Sequence, residues 1–540
     1  MSMNKNITIM LVALVLLTVF TASAQDDPKA KGLEAITDAM VKAQLTFLAS
    51  DWTEGRSSVT KGAFLAADYI ASIFEMTGLL PAGDMLSNGT RSYLQRVPLV
   101  RTAYGDEQSL SVITLADGAR LAKSYVWETD YILGYGGDVS KSISAPVVFI
   151  GYGMIDKANG YDELKGVDVK GKVVVRLLGF PGHRDPLSVA YEKYKPQTQA
   201  GRSMRGFASD PRTVAANKIL SEKGAIAIIT IAPDNTTFLI PLAINTRFFP
   251  DQWPIPTSTG GLSLYSTTAN DQPLSITVSP RVGTDILGTV VDMAEFEKNA
   301  AKTMKPQSVL LQGKNIEIVS SIKREIVMAV NVCAMIEGKD KNQTVVVGAH
   351  YDHLGTNGTQ IWNGADDNAS GTVGVMALGR AFIHSGVQPE CNVIFAAWTA
   401  EEKGILGSRY FVENFPQIEQ VKMNMNFDMI ARDAVDDRDR NRVEFTYVDT
   451  HPQWFAYCKA NIEKYRIPVV LVPSAEPLGS AGGTDYAPFS DAGRPFAGWF
   501  TGRHPDYHKY TDKLDKVNWA KYINVIRLGY LTTWDIVNEK

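Results

Sequence analysis

Apolar positions follow different spacings along the chain, and the changes of spacing divide it into three regions. Near the N-terminus apolar residues recur every three or four positions over 33–48 and 62–78, which predicts amphipathic helices. From about residue 140, short β-rich runs such as 225–230 alternate with Gly, Pro and Asp turns. The pattern therefore predicts a helical region followed by a small β-rich region.

After about residue 300 the β-runs are apolar throughout and alternate with helical segments. Strands are predicted at 326–335, 344–349, 392–398 and 423–427, with helices at 372–385 and 406–414. Uninterrupted apolar strands are typical of a parallel sheet that is covered on both faces. We therefore predict a three-layer α/β/α sandwich with a mixed, mainly parallel central sheet and a small inserted β-rich domain. The predicted boundaries are 1–24, 25–140, 141–300 and 301–540.

The first 24 residues have the pattern of a secretory signal peptide. Lys5 precedes an uncharged apolar run over 7–20, and Ala22-Ser23-Ala24 matches a small-x-small cleavage site. This run is shorter than the roughly 20 residues that cross a bilayer. We expect cleavage before Gln25 and an exported protein, periplasmic or secreted, without a membrane anchor after cleavage.

Composition narrows the possible chemistry of the 540-residue chain. Its 54 basic and 58 acidic side chains give a net charge of −4, which provides no general attraction for nucleic acid. Three cysteines cannot form a four-thiolate zinc site, and whether Cys333 and Cys391 form a disulfide is left open. A metal site in this chain would therefore use histidines and carboxylates.

Five short segments that follow predicted strands contain residues of that kind. In chain order these residues are His350 and Asp352, Asp367, Glu401 and Glu402, Asp428, and His508. Loops at the carboxyl ends of strands converge in an open α/β sheet. Two histidines, a carboxylate able to bridge, two more carboxylates and a spare acid have the composition of a two-metal hydrolytic centre. So many acids would repel one another without cations, so we predict that metal binds there.

Neighbouring residues have simpler expected roles. His350 and Asp352 project to the same side of an extended chain, so the carboxylate could fix the orientation of the imidazole. His353 is expected to form a structural hydrogen bond, and Asp366 to cap a helix or support the centre from outside.

The series His350-x-Asp352, Asp367, Glu401-Glu402, Asp428, His508 resembles the M28 family of zinc exopeptidases, which includes secreted bacterial aminopeptidases and glutamate carboxypeptidases. The resemblance covers about 300–540, and 141–300 resembles the protease-associated domain that many members insert. It implies a dizinc aminopeptidase that removes N-terminal residues from peptides.

The resemblance also implies which residues hold the two Zn²⁺ ions. His350 and Asp428 would bind one ion, His508 and Glu402 would bind the other, and Asp367 would bridge them.

Three further roles are implied by the same resemblance. Glu401 would be the general base, Asp352 would orient His350, and the Tyr507 hydroxyl would help to polarise the scissile carbonyl. Tyr486 stands where the family often has a histidine, so no role is assigned there.

Alternatives remain at this point. A carboxypeptidase could use the same centre, with Arg432, Arg494 or Arg503 recognising a substrate carboxylate. A glutaminyl cyclase would bind one zinc ion, and a receptor-like binding protein would have lost the metal. Side-chain specificity, the role of the insert, the native metal and the oligomeric state are left open.

Overall fold

The computed structural model describes residues 27–116, 118–133, 140–195, 211–235, 261–266, 273–480 and 482–539. The chain divides into two compact units: one runs to Leu99 and resumes at Val327, and the other is Val100–Ile326. The proposed signal peptide, residues 1–24, lies outside the described residues and stays a prediction.

Strands and helices are numbered in chain order over the described residues. The strands are β1 Leu80–Pro81, β2 Leu94–Ala116, β3 Ala119–Tyr125, β4 Tyr131–Leu133, β5 Lys141–Phe149, β6 Ile155–Asp156, β7 Tyr161–Asp162, β8 Val173–Leu177, β9 Ala227–Ile231, β10 Leu262–Leu264, β11 Leu274–Val278, β12 Val309–Ile336, β13 Asp340–His350, β14 Gly355–Thr356, β15 Ile361–Trp362, β16 Cys391–Trp398, β17 Val421–Phe427, β18 Arg442–Val448, β19 Val470–Glu476 and β20 Phe496–Phe500. The helices are α1 Pro28–Glu34, α2 Asp38–Leu48, α3 Lys61–Thr77, α4 Val189–Tyr194, α5 Pro211–Glu222, α6 Pro280–Leu287, α7 Met293–Thr303, α8 Gly371–Ser385, α9 Leu406–Asn414, α10 Gln453–Tyr465, α11 Ala487–Asp491 and α12 Trp519–Val537.

The first unit is built on a twisted sheet in the order β19-β18-β20-β17-β13-β16-β12. The pairs β13–β16, β13–β17, β17–β20 and β18–β19 are parallel. The pairs β12–β16 and β18–β20 are antiparallel. The predicted mixed, mainly parallel sheet with helices on both sides is confirmed.

Both faces of this sheet are buried, which explains its continuous apolar strands. Val345 and Val347 of β13 belong to a large core that also contains residues of α2, α3, α8 and α12. Val346 points the other way and packs with Trp398 and with Phe411 of α9. Because successive side chains of a strand point to opposite faces, a strand covered on both faces needs apolar residues at every position.

The helical pattern over 33–48 does not form one helix. It divides into α1 and α2, and the Thr37 side chain caps α2 by accepting a hydrogen bond from the Met40 backbone N–H. Threonine is favoured at this position because its oxygen satisfies a backbone donor that has no partner within the helix. The second predicted helix is α3, which ends at Gly78 in the left-handed conformation with φ 88°.

In the second unit, the 309–320 part of β12 pairs with β5, which is followed in the sheet by β8, β9, β11 and β4. The three pairs from β5 to β11 are parallel. Its core includes Leu110 and Val112 of β2 and Ile316 and Ile318 of β12. Because those flanking strands pack into the same core, the unit extends beyond the range 141–300 predicted for the insert.

The likeness of this unit to a protease-associated domain stays a prediction.

The three cysteines, Cys333, Cys391 and Cys458, are buried and unpaired. Within the described ranges, no helix combines the length and apolarity that crossing a bilayer would require.

Candidate metal centre

The five predicted segments meet at the carboxyl edge of the first unit's sheet. His350 ends β13, Glu401 and Glu402 follow β16, Asp428 follows β17, and His508 lies in the loop after β20. β16, β13, β17 and β20 are consecutive in the sheet and parallel, so their carboxyl ends lie at one edge. The convergence therefore follows from strand order.

The first cluster of possible metal ligands, called here the His350 group, contains His350, Asp367 and Asp428. His350 Nε2 lies 3.5 Å from Asp367 Oδ1 and 3.5 Å from Asp428 Oδ1. One ligand atom of each residue lies within 4.8 Å of the others. Such spacing lets three side chains reach one small cation after minor adjustment, since zinc–ligand distances are about 2.0–2.2 Å.

The second cluster, called here the Glu402 group, contains Glu402, Asp367, His508 and His353. His508 Nε2 lies 3.1 Å from Asp367 Oδ2 and 3.2 Å from Glu402 Oε2. His353 Nδ1 lies 2.7 Å from Glu402 Oε1 and 3.9 Å from Asp367 Oδ2. The hydrogen bond expected of His353 is therefore present, but the same imidazole is also close enough to be a ligand.

Asp367 belongs to both groups, with Oδ1 towards His350 and Oδ2 towards His508. It lies in the tight turn 365–370 that leads into α8. The Asp512 carboxylate holds that turn by accepting backbone N–H groups of Asp366 and Asp367 at 3.0 and 3.1 Å. This placement gives Asp367 the geometry of a bridging carboxylate.

Glu401 lies beside the His350 group without belonging to either cluster. Its Oε2 is 3.9 Å from His350 Nε2. Ala400, just before it, has a left-handed φ of 57°, so the chain turns sharply after β16. Burial and the charges of Glu402, Asp485 and Asp428 raise the pKa of Glu401 well above its usual value, although His350 opposes the shift. The adjacent Glu401 and Glu402 thereby face different surroundings.

Asp352 supports the centre through two separate contacts. Its backbone carbonyl lies 3.1 Å from His350 Nδ1, whereas its carboxylate Oδ1 is 3.9 Å from the same nitrogen. The carboxylate instead accepts the backbone N–H of Glu401 at 3.0 Å and the Ser58 hydroxyl at 2.9 Å. The ring is thus held by the Asp352 backbone, and the side chain holds the turn that carries Glu401.

The electrostatics of the two groups fit a bound cation. Burial alone would lower the pKa of His508, yet the charges of Glu402 and Asp367 raise it to about 10. Burial would raise the pKa of Glu402, but His508 and His353 hold it well below its usual value. Among the described residues, no donor approaches the buried Asp367 Oδ2 in hydrogen-bonding geometry, although His508 Nε2 lies 3.1 Å away. Imidazole nitrogens and carboxylate oxygens are ligands that zinc accepts, so the donor set fits divalent metal.

Tyr507 lies between the centre and an adjacent cavity. Its ring stacks on His508 with a centroid distance of 3.9 Å, and it lines a cavity that Asp428 also lines. Burial and the charges of Asp367, Glu402 and Asp428 raise the pKa of its hydroxyl, which therefore keeps its proton at neutral pH.

Arg56 is a supporting residue that the sequence analysis missed. Arg56 is fully buried and donates to the backbone carbonyls of Leu48, Tyr351, Asn363 and Gly364. Burial lowers the pKa of its guanidinium to about 10, against the charges of Asp352 and Asp367. Its local sequence is that of a polar turn, so no signal distinguished it from a surface arginine.

Part of the chain is similar to a known protein family. Residues 331–531 match the family model described as Peptidase family M28. All five predicted ligands, together with Glu401, Asp352 and Tyr507, lie within the matched range.

Curated relatives match over part of their length. The chain is 34% identical over 190 residues to leupeptin-inactivating enzyme 1 of Streptomyces exfoliatus, covering 34% of this chain and 38% of that protein. It is 29% identical over 254 residues to leucine aminopeptidase 2 of Arthroderma otae, covering 41% of this chain and 50% of the relative. The chain thus spans half or less of the length of these relatives.

A solved structure is similar over nearly the whole chain. The aminopeptidase from Aneurinibacillus sp. strain AM-1 aligns with a TM-score of 0.52 at 15% identity, covering 94% of this chain and 96% of that one. At this identity the likeness shows a shared fold.

Proposed function

We propose that this protein is a dizinc aminopeptidase that hydrolyses N-terminal residues from peptides. The observation that carries the proposal is Asp367, whose two carboxylate oxygens face the His350 group and the Glu402 group. A shared carboxylate between two buried His/carboxylate clusters is the arrangement expected for a pair of metal ions. The M28 match over 331–531 supports the same reaction class.

The two groups divide the proposed ligands between the ions. His350, Asp367 and Asp428 would hold one ion, and Asp367, Glu402 and His508 would hold the other. When bound, the pair would supply Lewis acidity at the scissile carbonyl and would acidify water at the centre.

Glu401 is the proposed general base. It lies near the ligands while remaining outside both clusters, so its carboxylate is left to accept a proton from the attacking water. It would then deliver this proton to the departing amine. The hydrogen bond from its backbone N–H to Asp352 positions Glu401 for both transfers.

Tyr507 is proposed to bind the carbonyl oxygen of the substrate. Its raised pKa keeps the hydroxyl protonated, so the group can donate a hydrogen bond as negative charge develops on that oxygen. Stacking on His508 limits where the ring can move.

Two of the three arginines that a carboxypeptidase could use form ion pairs within the protein, and the third, Arg503, lines the cavity beside Asp428 and Tyr507. Arg432 is buried and pairs with Asp506 at 2.7 Å, and Arg494 pairs with Glu419 at 2.9 Å. Both are engaged within the protein, which leaves Arg503 as the available one of the three candidates. Because both metal groups have their donors, a single-zinc cyclase and a metal-free receptor are disfavoured.

Export is part of the proposal and rests on the sequence pattern of residues 1–24. Expression of the full chain, followed by fractionation and N-terminal sequencing, tests it. A mature protein that begins at Gln25 outside the cytoplasm is the expected result.

The activity is tested with matched substrates and measured metal content. The purified protein should contain two zinc ions and hydrolyse leucine p-nitroanilide but not its N-acetyl counterpart. A chelator should abolish hydrolysis, and added Zn²⁺ should restore it. Cleavage restricted to N-blocked peptides with a free C-terminus would instead support the carboxypeptidase.

A further inference from the structure

A cavity of about 310 Å³ lies beside the proposed metal centre in the first unit. Asp428 and Tyr507 line one side of it, so it adjoins both metal groups. Its volume lies at the lower end of the roughly 300–1,000 Å³ typical of small-molecule sites. The cavity is therefore large enough to hold one substrate side chain.

Two glutamates contribute to the cavity wall. Glu444 of β18 and Glu476 of β19 both line the cavity. In the parallel pairing of these strands Val448 lies opposite Glu476. Residues 444, 446 and 448 share one face of β18, so both carboxylates lie on the same face of the sheet.

Neither carboxylate forms an ion pair within the described residues, although Arg442, which pairs with Asp436, also interacts with the charge of Glu444. Burial and the charge of Glu444 raise the pKa of Glu476, and no basic group contributes to the shift. Glu444 accepts only a long contact of 3.4 Å from the Thr446 hydroxyl. The one basic residue among the described cavity-lining residues, Arg503, is exposed and lies over the Tyr507 ring at 5.3 Å. The two glutamates therefore make this part of the cavity acidic, with Arg442 and Arg503 as the nearby cations.

The remaining walls suit an aliphatic chain that ends in a cation. The Tyr486 ring stacks on Phe496 at a centroid distance of 4.6 Å and lies over Gly498, where a Cβ would come within 3.0 Å of the ring. Asn426 is 1% exposed and lines the cavity, and its Oδ1 has no hydrogen-bond partner among the described residues. The cavity thus combines an aromatic wall, two carboxylates and an unsatisfied buried acceptor.

We infer that this cavity binds the side chain of the substrate's N-terminal residue and selects lysine or arginine there. The inference rests on the proposed function, since the metal centre places the scissile carbonyl beside Asp428 and Tyr507. The methylene groups would pack along Tyr486, and the cationic end would be paired by Glu444 and Glu476.

Lysine and norleucine p-nitroanilides give a matched test, because the two side chains share a linear four-carbon chain and differ in the terminal ammonium. We expect kcat/KM of the zinc-loaded enzyme to be at least about 10-fold higher for lysine, the value of one hydrogen bond to a charged group. In Glu444→Gln and Glu476→Gln, kcat/KM for the lysine substrate should fall about 10- to 100-fold. For the norleucine substrate, kcat/KM should change by less than about 3-fold. Glu463→Gln, an exposed glutamate of α10, is the matched control and should alter neither.

Binding and rescue measurements separate recognition from a structural role. Calorimetry should show that L-lysine binds the wild type more tightly than L-norleucine, and this difference should vanish in the double variant. Glu444→Asp and Glu476→Asp keep the charge and should recover part of the lysine preference.

Two outcomes would overturn the inference. One is an equal loss of kcat/KM for the lysine and norleucine substrates in Glu444→Gln and Glu476→Gln. This would mean that the carboxylates bind the α-ammonium or support the fold. The other is a wild type that prefers norleucine. If the wild type hydrolysed no unblocked substrate at all, the proposed function itself would fail.

Discussion

The two proposed metal groups are built differently, although they share Asp367. His350 ends a strand at the centre of the sheet and its side chain is 1% exposed. His508 lies in a loop, has a left-handed φ of 56°, and its side chain is 15% exposed. The His350 group has one histidine, whereas the Glu402 group has both His353 and His508 within reach. The strand end therefore offers one histidine ligand, His350, whereas the loop side offers two, His353 and His508.

Removing the Asp367 carboxylate, which both metal groups share, should disrupt both groups and cause the largest loss of activity. We expect Asp367→Ala to lose both metal ions and to reduce kcat/KM by about 10⁴-fold or more, because the centre acts as a unit. Elemental analysis measures the number of bound ions, and leucine p-nitroanilide kinetics measures kcat/KM. Retention of two ions would contradict the bridging role.

Glu401→Gln should leave both groups intact and remove the proton transfer alone. General acid–base catalysis contributes about 10²- to 10⁴-fold, so kcat should fall by that range while two zinc ions remain bound. Glu413→Gln, an exposed glutamate of α9, is the control. Full activity in Glu401→Gln would disprove the assigned base.

The choice between the two histidines of the Glu402 group can be tested by comparing their alanine variants. His508→Ala should lose one ion and at least about 100-fold in activity, whereas His353→Ala should keep two ions and lose about 10-fold, as expected for a supporting residue. The exposed His384→Ala should behave as the wild type. If His353→Ala loses the ion and His508→Ala keeps it, the ligand assignment must be exchanged.

Asp352→Ala, which removes the acceptor for the Glu401 backbone N–H, tests whether the carboxylate supports Glu401 or His350. Since that carboxylate accepts the Glu401 backbone N–H, we expect kcat to fall about 10- to 100-fold with unchanged zinc affinity. Metal titration by calorimetry decides the point. A weakened zinc affinity at the His350 group would instead indicate that the carboxylate orients the imidazole.

The smallest expected effect is the pH dependence of the metal-free protein. The pKa of His508 is raised from its ordinary 6.5 to about 10, so protonated His508 stabilises the fold below pH 6.5 and loses this contribution as the pH rises to 10. The melting temperature of wild type minus that of His508→Asn should therefore decrease over this interval. A difference that rises with pH would contradict the ion pairs with Glu402 and Asp367.

The sequence by itself predicted four strands of the first unit's sheet, β12, β13, β16 and β17, but not β18, β19 and β20. It also predicted the chemical nature of the proposed centre. Apolar runs such as 344–349 predict strands buried on both faces, and a carboxylate or histidine just after such a run has few purely structural explanations. His350, Glu402 and Asp428 could be selected in this way because the signal is local. The break between α1 and α2 was missed because the apolar spacing continues across Thr37.

Only the tertiary structure decided which groups meet. His353 approaches Glu402 at 2.7 Å because β13 and β16 are neighbours, and Arg56 reaches beneath the centre from a turn some 300 residues away. Glu444 and Glu476 look like ordinary half-exposed strand residues until the order β19-β18-β20-β17 places them along one cavity. Strand order and side-chain direction depend on packing between distant segments, and hydrophobic spacing within one segment does not encode them.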